Sequence, residues 1–252
     1  MIALEPGAQF STYMPSAWPH LDAATVTARL HQLRKDPNLI EQGALGLCGE
    51  ATFYHHLIQL DPVGFFGLGL TLFMKGYCAL GKLFIDPDSD LLNADYQALV
   101  TARGTTFPPM PPQADWMLLG ALRDSQNELL DYEGAPEEDV AEGSDYEERW
   151  MWYFKTRLYK QVRLETNTDL TYVKTNVLKT PSNHISMRIK IAMIQSGTGK
   201  HVISLETPLV IDEANDSVTF DYWTWGNANF DTANLTVAEF ADNYLGAIIA
   251  EF

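Results

Sequence analysis

The last third of the chain contains short stretches that are rich in β-branched and aromatic residues and in part alternate apolar with polar positions. In chain order they are LTYVKTNVL, HISMRIKIAMIQ, HVISLETPLVI and SVTFDYWTW. This composition and alternation are typical of half-buried β-strands. The sequences TPSN, SGTGK and DEANDS lie between them and are typical of turns, which predicts antiparallel strands. A closing helix is expected over about 236–250.

The first half of the chain has helical periodicity instead. The apolar spacing predicts helices in LDAATVTARLHQLRKD, over 48–60 and over 62–80, followed by a short strand in KLFIDP. Further helices are predicted around 91–103, from about Asp115 to Leu130, and in RWMWYFKTRLYKQV. Helices that precede strands along the chain indicate an α+β fold.

An acidic segment over 131–148 separates the two halves. Half of its residues are Asp or Glu and few are apolar, so it is expected to be an exposed loop or a disordered link. A chain of 252 residues can form one large domain. We expect a single domain over 1–252, with a helical lobe over about 21–165 and a β-rich lobe over about 170–252.

Charge and cysteine content limit the classes of function. The formal net charge of −16 argues against nucleic acids and anionic membranes as partners. The longest apolar stretch, DPVGFFGLGLTLFMKGYCALG, is interrupted by Lys75 and several glycines, which favours a buried helix over a membrane span. Cys48 and Cys78 are too few for a disulfide framework and lack metal-ligand spacing. We expect a reducing compartment, no cofactor and no metal.

The N-terminal sequence bears on localisation. It has no basic start followed by an apolar core, so no secretory signal is visible. The protein is therefore expected to be cytoplasmic, or to be exported without a Sec signal.

The segment EQGALGLCGE places Cys48 between glycines and directly before the helical pattern of EATFYHHLIQL. Cys48 is thus predicted at a helix N-terminus, where the helix dipole favours the nucleophilic thiolate form. The alternative is a small buried residue beside a turn, which is the commoner role of a lone cysteine. The other parts of a catalytic site must decide between these interpretations.

A cysteine nucleophile requires a base and a group that orients the base. His201 follows SGTGK and begins the apolar sequence VISL, so a rigid strand would hold its backbone. Asp221 lies on the next predicted strand, and a hairpin-like return is expected to bring it near His201. His55 and His56, in the Cys48 helix, are expected to be structural or surface residues.

QGALGLCG resembles the active-site segment of the papain-like cysteine peptidases, with Gln42, Gly43, Gly46 and Cys48 in the family's spacing. The resemblance implies an oxyanion hole formed by the Gln42 side chain and the backbone N–H of Cys48. It also implies the family's two lobes, with the helix that bears the cysteine packed on a C-terminal antiparallel sheet.

The family order of catalytic residues is Cys, His, then Asn or Asp, with the His about 130–150 residues after the Cys. His201 lies 153 residues after Cys48, and DYWTWG is similar to the family's third segment, which makes Asp221 the expected third residue. Asn227 and Asn229, just beyond WTWG, are the alternatives for that role.

The chain also departs from the papain pattern. Leu45 stands where that branch has a disulfide cysteine, Gly49 replaces an aromatic residue, and Asp221 replaces Asn. Outside about 42–60 and 197–227 nothing resembles the family. The chain is therefore most similar to a remote bacterial branch, such as a delivered toxin or effector.

These features predict a thiol hydrolase that cleaves a peptide or amide bond, acting on a protein or peptide, with a peptidoglycan peptide among the candidates. A deamidase or acyltransferase would use the same residues, because the acyl-enzyme forms in the same way. A non-catalytic binding or immunity-type module on the same fold is the third interpretation. A cognate inhibitor or immunity protein is a candidate partner.

Overall fold

The computed structural model describes residues 16–125, 134, 155–224, 226 and 228–252. Within these residues the fold is α+β, as predicted: helices dominate up to Asp124 and an antiparallel sheet dominates from Gln161 onward. The acidic segment predicted as a loop over 131–148 lies outside the described residues apart from Gly134.

The first part of the chain forms helices at nearly all the predicted places. They are α1 (Ala23–Lys35), α2 (Cys48–Leu60), α3 (Pro62–Lys75), α4 (Ser89–Asn93), α5 (Tyr96–Arg103) and α6 (Gln113–Asp124). Aspartate side chains cap α1, α3, α4 and α5 by accepting backbone N–H bonds in the first turn. The caps at Asp88 and Asp95 explain why the single helix predicted around 91–103 is two helices.

The helix predicted over 62–80 is shorter than expected. Gly76 adopts φ 80 and ends α3, because this left-handed backbone suits glycine and stops a helix. The following residues form a small antiparallel pair of β1 (Cys78–Leu80) and β2 (Leu83–Ile85). In the part of the chain that the structure describes, no helix is long and apolar enough to cross a membrane.

The main sheet is antiparallel throughout. Its strands are β3 (Gln161–Glu165), β4 (Asn183–Lys190), β5 (Lys200–Leu205), β6 (Val210–Asp212), β7 (Ser217–Trp223), β8 (Asp231–Leu235) and β9 (Tyr244–Glu251). The order across the sheet is β3-β9-β4-β5-β7-β6, and β8 pairs with β7 beside this path. β3 occupies the last residues of the range assigned above to the helical lobe.

Two further predictions about the last part of the chain are wrong. LTYVKTNVL forms a helix, α7 (Leu170–Asn176), whose start is capped by Asp169. The predicted closing helix is only α8 (Val237–Asn243), and the following residues form β9 in the middle of the sheet. A strand buried on both faces has a continuous apolar run instead of alternation, and such a run cannot be told from a buried helix by periodicity.

Helix α2 lies at the centre of the molecule. All of its side chains from Cys48 to Ile58 are buried. On one side it packs with α1, α3 and α6 in a large apolar cluster that includes Leu30 and Trp116. On the other side it packs against β5. A second apolar cluster, with Ile203 and Phe240, covers the far face of the sheet.

Asp115 on α6 joins this helical core to the segment that leads into α2. Its carboxylate is fully buried, accepts hydrogen bonds from Nε and Nη2 of Arg29 at 2.8 and 3.0 Å, and accepts the backbone N–H of Glu41 at 2.8 Å. Burial raises the pKa of Asp115 to about 6, against the opposing effect of the Arg29 guanidinium. The interaction therefore fixes the backbone one residue before Gln42.

We expect Asp115→Ala to lower the free energy of unfolding by about 3 kcal/mol, because it leaves the partly buried Arg29 guanidinium without its carboxylate and the Glu41 N–H without its acceptor. Urea denaturation would measure this loss. Glu213→Ala is the control, since the Lys174–Glu213 ion pair is exposed and should contribute about 1 kcal/mol or less. Equal losses in the two variants would contradict the role given to the buried pair.

Candidate functional site

Cys48 is the first residue of α2, as predicted, and its side chain is 6% exposed. The preceding residue, Leu47, contributes no side-chain cap, so the first-turn N–H groups are left for other partners. Glu50 in the same turn is buried beside Arg123, with Oε1 and Nη1 3.5 Å apart. Neither Cys48 nor Cys78 is in a disulfide.

The loop before Cys48 is held against a proline-rich loop. Ala44 N–H donates to the carbonyl oxygen of Pro109 at 2.8 Å. Gly43 has φ 55, and a Cβ at this position would lie 2.5 Å from the Pro109 oxygen and 2.6 Å from the nitrogen of Pro111. Only glycine fits both the backbone angle and the close approach, so Gly43 fixes the path of the chain from Gln42 to Cys48.

Gln42 is buried at the start of this loop, with 8% of its surface exposed. Within the described part of the structure its Oε1 atom has no hydrogen-bond partner. An unsatisfied buried amide oxygen costs about 1–3 kcal/mol, so such atoms are rare and call for an explanation. A site that binds a ligand is one explanation.

Cys48 packs against the strand that carries His201. It forms a small buried cluster with Val202 on β5 and Ile248 on β9, and Val202 directly follows His201. The structure therefore brings the thiol-bearing end of α2 to the beginning of β5, where the sequence predicted the base.

His201 is 4% exposed and lies on β5, also as predicted. Its Nε2 atom is 2.6 Å from the hydroxyl of Thr224, which follows β7. Burial lowers the pKa of His201 to about 3. The imidazole is consequently neutral near pH 7.

Asp221 is not near His201, contrary to the prediction. Its Oδ1 atom accepts the hydroxyl proton of Thr232 at 2.7 Å, and its carbonyl oxygen accepts the N–H of Glu206 at 2.9 Å. The antiparallel register places Leu205 opposite Tyr222, so residues later than Asp221 approach His201. Thr224 takes the position expected for Asp221. Of the two asparagine alternatives, Asn229 is exposed and Asn227 lies outside the described residues.

The end of β7 also packs on the segment that leads to Gln42. Trp223 Nε1 donates to the carbonyl oxygen of Asn38 at 3.0 Å. Gly226 has φ 73, and a Cβ there would lie 2.9 Å from the Ile40 oxygen. The three sequence segments that resemble the papain-like pattern, around Gln42, His201 and Trp223, therefore lie next to one another.

Sequence reasoning did not find the polar contacts between α2 and the sheet. His55 Nε2 is 3.0 Å from Glu206 Oε1, and His56 Nε2 is 2.5 Å from Ser204 Oγ. Both histidines are buried. Of the two roles expected for them, they have the structural role and do not lie on the surface. The sequence feature that indicated polar contacts with the sheet was the pair of adjacent histidines within an otherwise apolar helix.

Lys155 completes this buried network. Its Nζ donates to Ser186 Oγ at 2.7 Å and lies 3.0 Å from His56 Nδ1. Burial lowers the pKa values of both Lys155 and His56. The His184 ring stacks on His56 with centroids 4.5 Å apart, and burial lowers the pKa of His184 to about 3.

Comparisons with protein-family models, with curated proteins and with solved structures found no match for this chain. Among the described residues, no group of three or more His, Cys, Asp or Glu side chains is arranged to hold a metal ion. The functional interpretation therefore depends on the geometry around Cys48 and His201.

We expect the protein to lose stability as the pH falls from about 6.5 toward 3. An unfolded imidazole takes up a proton in this range, whereas the buried ring of His184 does not until about pH 3. Each such ring contributes up to about 1.4 kcal/mol per pH unit to this loss. Urea unfolding at a series of pH values would measure the slope. His184→Gln should reduce the slope, and a substitution of the exposed His20 should leave it unchanged; the same slope in every variant would refute the explanation.

Proposed function

We propose that this chain is a papain-like thiol hydrolase that cleaves a peptide or amide bond through an acyl-enzyme. The observation that supports it best is the packing of Cys48, at the start of α2, against Val202 beside His201. The neutral, buried imidazole of His201 and the burial of Gln42 at the start of the Cys48 loop are consistent with it.

In the proposed reaction, Cys48 Sγ attacks the carbonyl carbon of the substrate while its proton passes to His201. The carbonyl oxygen becomes an oxyanion that the Cys48 N–H and the Gln42 side-chain amide stabilise. His201 then gives its proton to the leaving amine, and a thioester remains on Cys48. Water hydrolyses the thioester with His201 as base, which regenerates the thiol.

Thr224 takes the role of orienting residue in this proposal, in place of Asp221. With Nε2–H donating to the Thr224 hydroxyl, Nδ1 carries a lone pair and can accept the Cys48 proton. A hydroxyl fixes the ring without adding negative charge, so the charge of the imidazolium formed in the reaction is compensated by the oxyanion that forms with it.

The proposed substrate class is a protein or peptide, and a bacterial toxin or effector is the proposed context. A deamidase or acyltransferase would share the acyl-enzyme and differ only in the group that is released or that accepts the acyl chain. One observation favours a non-catalytic module instead: Cys48 and His201 are each less than a tenth exposed.

Thiol labelling separates a hydrolase from a non-catalytic module. We expect iodoacetamide to alkylate Cys48 faster than Cys78, which serves as an internal control because burial raises its pKa to about 12. His201→Ala should slow the labelling of Cys48 alone. Peptide mass spectrometry would give both rates. If Cys48 is as slow as Cys78 and is unaffected by His201→Ala, the proposal is wrong.

Thr224→Val tests the orienting residue, because valine keeps the shape of threonine and removes the hydroxyl. We expect it to lower Cys48 alkylation and substrate turnover on the order of 10²-fold, since the imidazole loses its fixed orientation. Asp221→Asn should leave both near the wild-type level, because Asp221 binds Thr232. If Asp221→Asn lowers both rates and Thr224→Val does not, Asp221 and not Thr224 is the orienting residue.

A further inference from the structure

Among the described residues, side-chain hydrogen bonds join the element that carries Cys48 to the end of the element that carries His201. One is a 3.4 Å contact from Gln59 Nε2 to Glu206 Oε2, and two others involve the histidines of α2. On α2, His56 bonds Ser204 on β5, and His55 bonds Glu206, the residue that follows β5. All four side chains are buried or nearly so. We call these two contacts the α2–β5 bridge.

The bridge is part of a chain of hydrogen bonds with one consistent direction. Lys155 Nζ donates to His56 Nδ1, which leaves His56 Nε2–H to donate to Ser204 Oγ. Ser204 in turn donates its hydroxyl proton to Glu206 Oε1 at 2.5 Å. Each polar atom along this chain has a partner of the correct type, and such fully satisfied buried networks are rigid.

The carboxylate at the end of the chain is ionised. Burial would raise the pKa of Glu206, but the hydrogen bonds and charges around it, those of His55 first, lower it to about 2. Its hydrogen bonds are therefore charge-assisted and stronger than neutral ones.

The position of the bridge determines what it can control. His56 is two helical turns from Cys48, about 12 Å along α2, and Ser204 is about 10 Å from His201 along β5. Because Cys48 also packs on Val202, the helix contacts β5 at two separate places. The bridge therefore fixes how far α2 slides and rotates along β5, and any such movement changes the separation of the thiol from the imidazole.

We propose that Ser204 and Glu206 are positioning residues that set the geometry of Cys48 and His201 through the α2–β5 bridge. The inference depends on the proposed function, because it assigns these residues a role in the reactivity of Cys48. A purely structural role would predict only a loss of stability when the bridge is broken.

Ser204→Ala in the full chain tests the inference, with Tyr159→Phe as the matched control. The Tyr159 hydroxyl and His184 Nδ1 share a buried hydrogen bond of 2.8 Å in the same region, but this bond does not join α2 to β5. Ser204→Thr keeps the hydroxyl and serves as the conservative variant. Iodoacetamide alkylation of Cys48 between pH 5 and 9, followed by peptide mass spectrometry, gives the reactivity, and urea unfolding gives the stability.

In Ser204→Ala we expect iodoacetamide to alkylate Cys48 about 10- to 100-fold more slowly at pH 6. The dependence of this rate on pH should shift toward that of an ordinary thiol. Ser204→Thr should remain near the wild type, and Tyr159→Phe should lose stability with unchanged alkylation. If Cys48 in Ser204→Ala is alkylated at the wild-type rate, or if Tyr159→Phe slows the alkylation equally, the inference is overturned and the proposed function is not. If His201→Ala does not alter wild-type alkylation, the proposed function and the inference both fail.

Glu206→Gln provides a second variant if Ser204→Ala does not fold. It preserves the shape of the side chain and removes the charge that strengthens both contacts of the bridge. The same slower alkylation and shifted profile are expected, and a wild-type profile would overturn the inference.

Discussion

The burial of α2 from Cys48 to Ile58 is the constraint that determines most of this structure. A helix whose polar side chains are enclosed must find hydrogen-bond partners inside the molecule, since each unpaired buried group costs free energy. His55 and His56 find them on the sheet, and Glu50 finds Arg123 on α6. The helix thereby joins the helical core to the sheet, and the two parts of the chain share one interior.

The sequence allowed the general fold to be predicted because the signals were local. Asp61-Pro62 and the glycine-broken stretch before Cys48 mark helix starts through backbone chemistry alone, and the structure confirms both. β9 could not be recognised in the same way. Its apolar run reflects burial on both faces of the sheet, which is a property of the assembled fold and not of the segment.

For the candidate site, the sequence likewise predicted the elements that carry the residues but not all of the contacts between them. Cys48 and His201 lie on the expected elements, and Gln42 is buried at the start of the Cys48 loop. The neighbour of His201 depended on the register of β5 against β7, which is set by pairing across the assembled sheet and by the intervening turns. A shift of three residues along β7 separates Asp221 from Thr224, and that shift exchanges a carboxylate for a hydroxyl beside the imidazole.

The place of β9 in the sheet affects how the molecule assembles during synthesis. β9 follows every other described strand along the chain, yet it lies between β3 and β4. A ribosome must therefore release the residues up to Glu251 before β3 can join the sheet, and Ile248 reaches Cys48 at the same time. Pairing between such distant segments is slow. The cluster around the Cys48 thiol is therefore incomplete until Ile248 has been synthesised and β9 has joined the sheet.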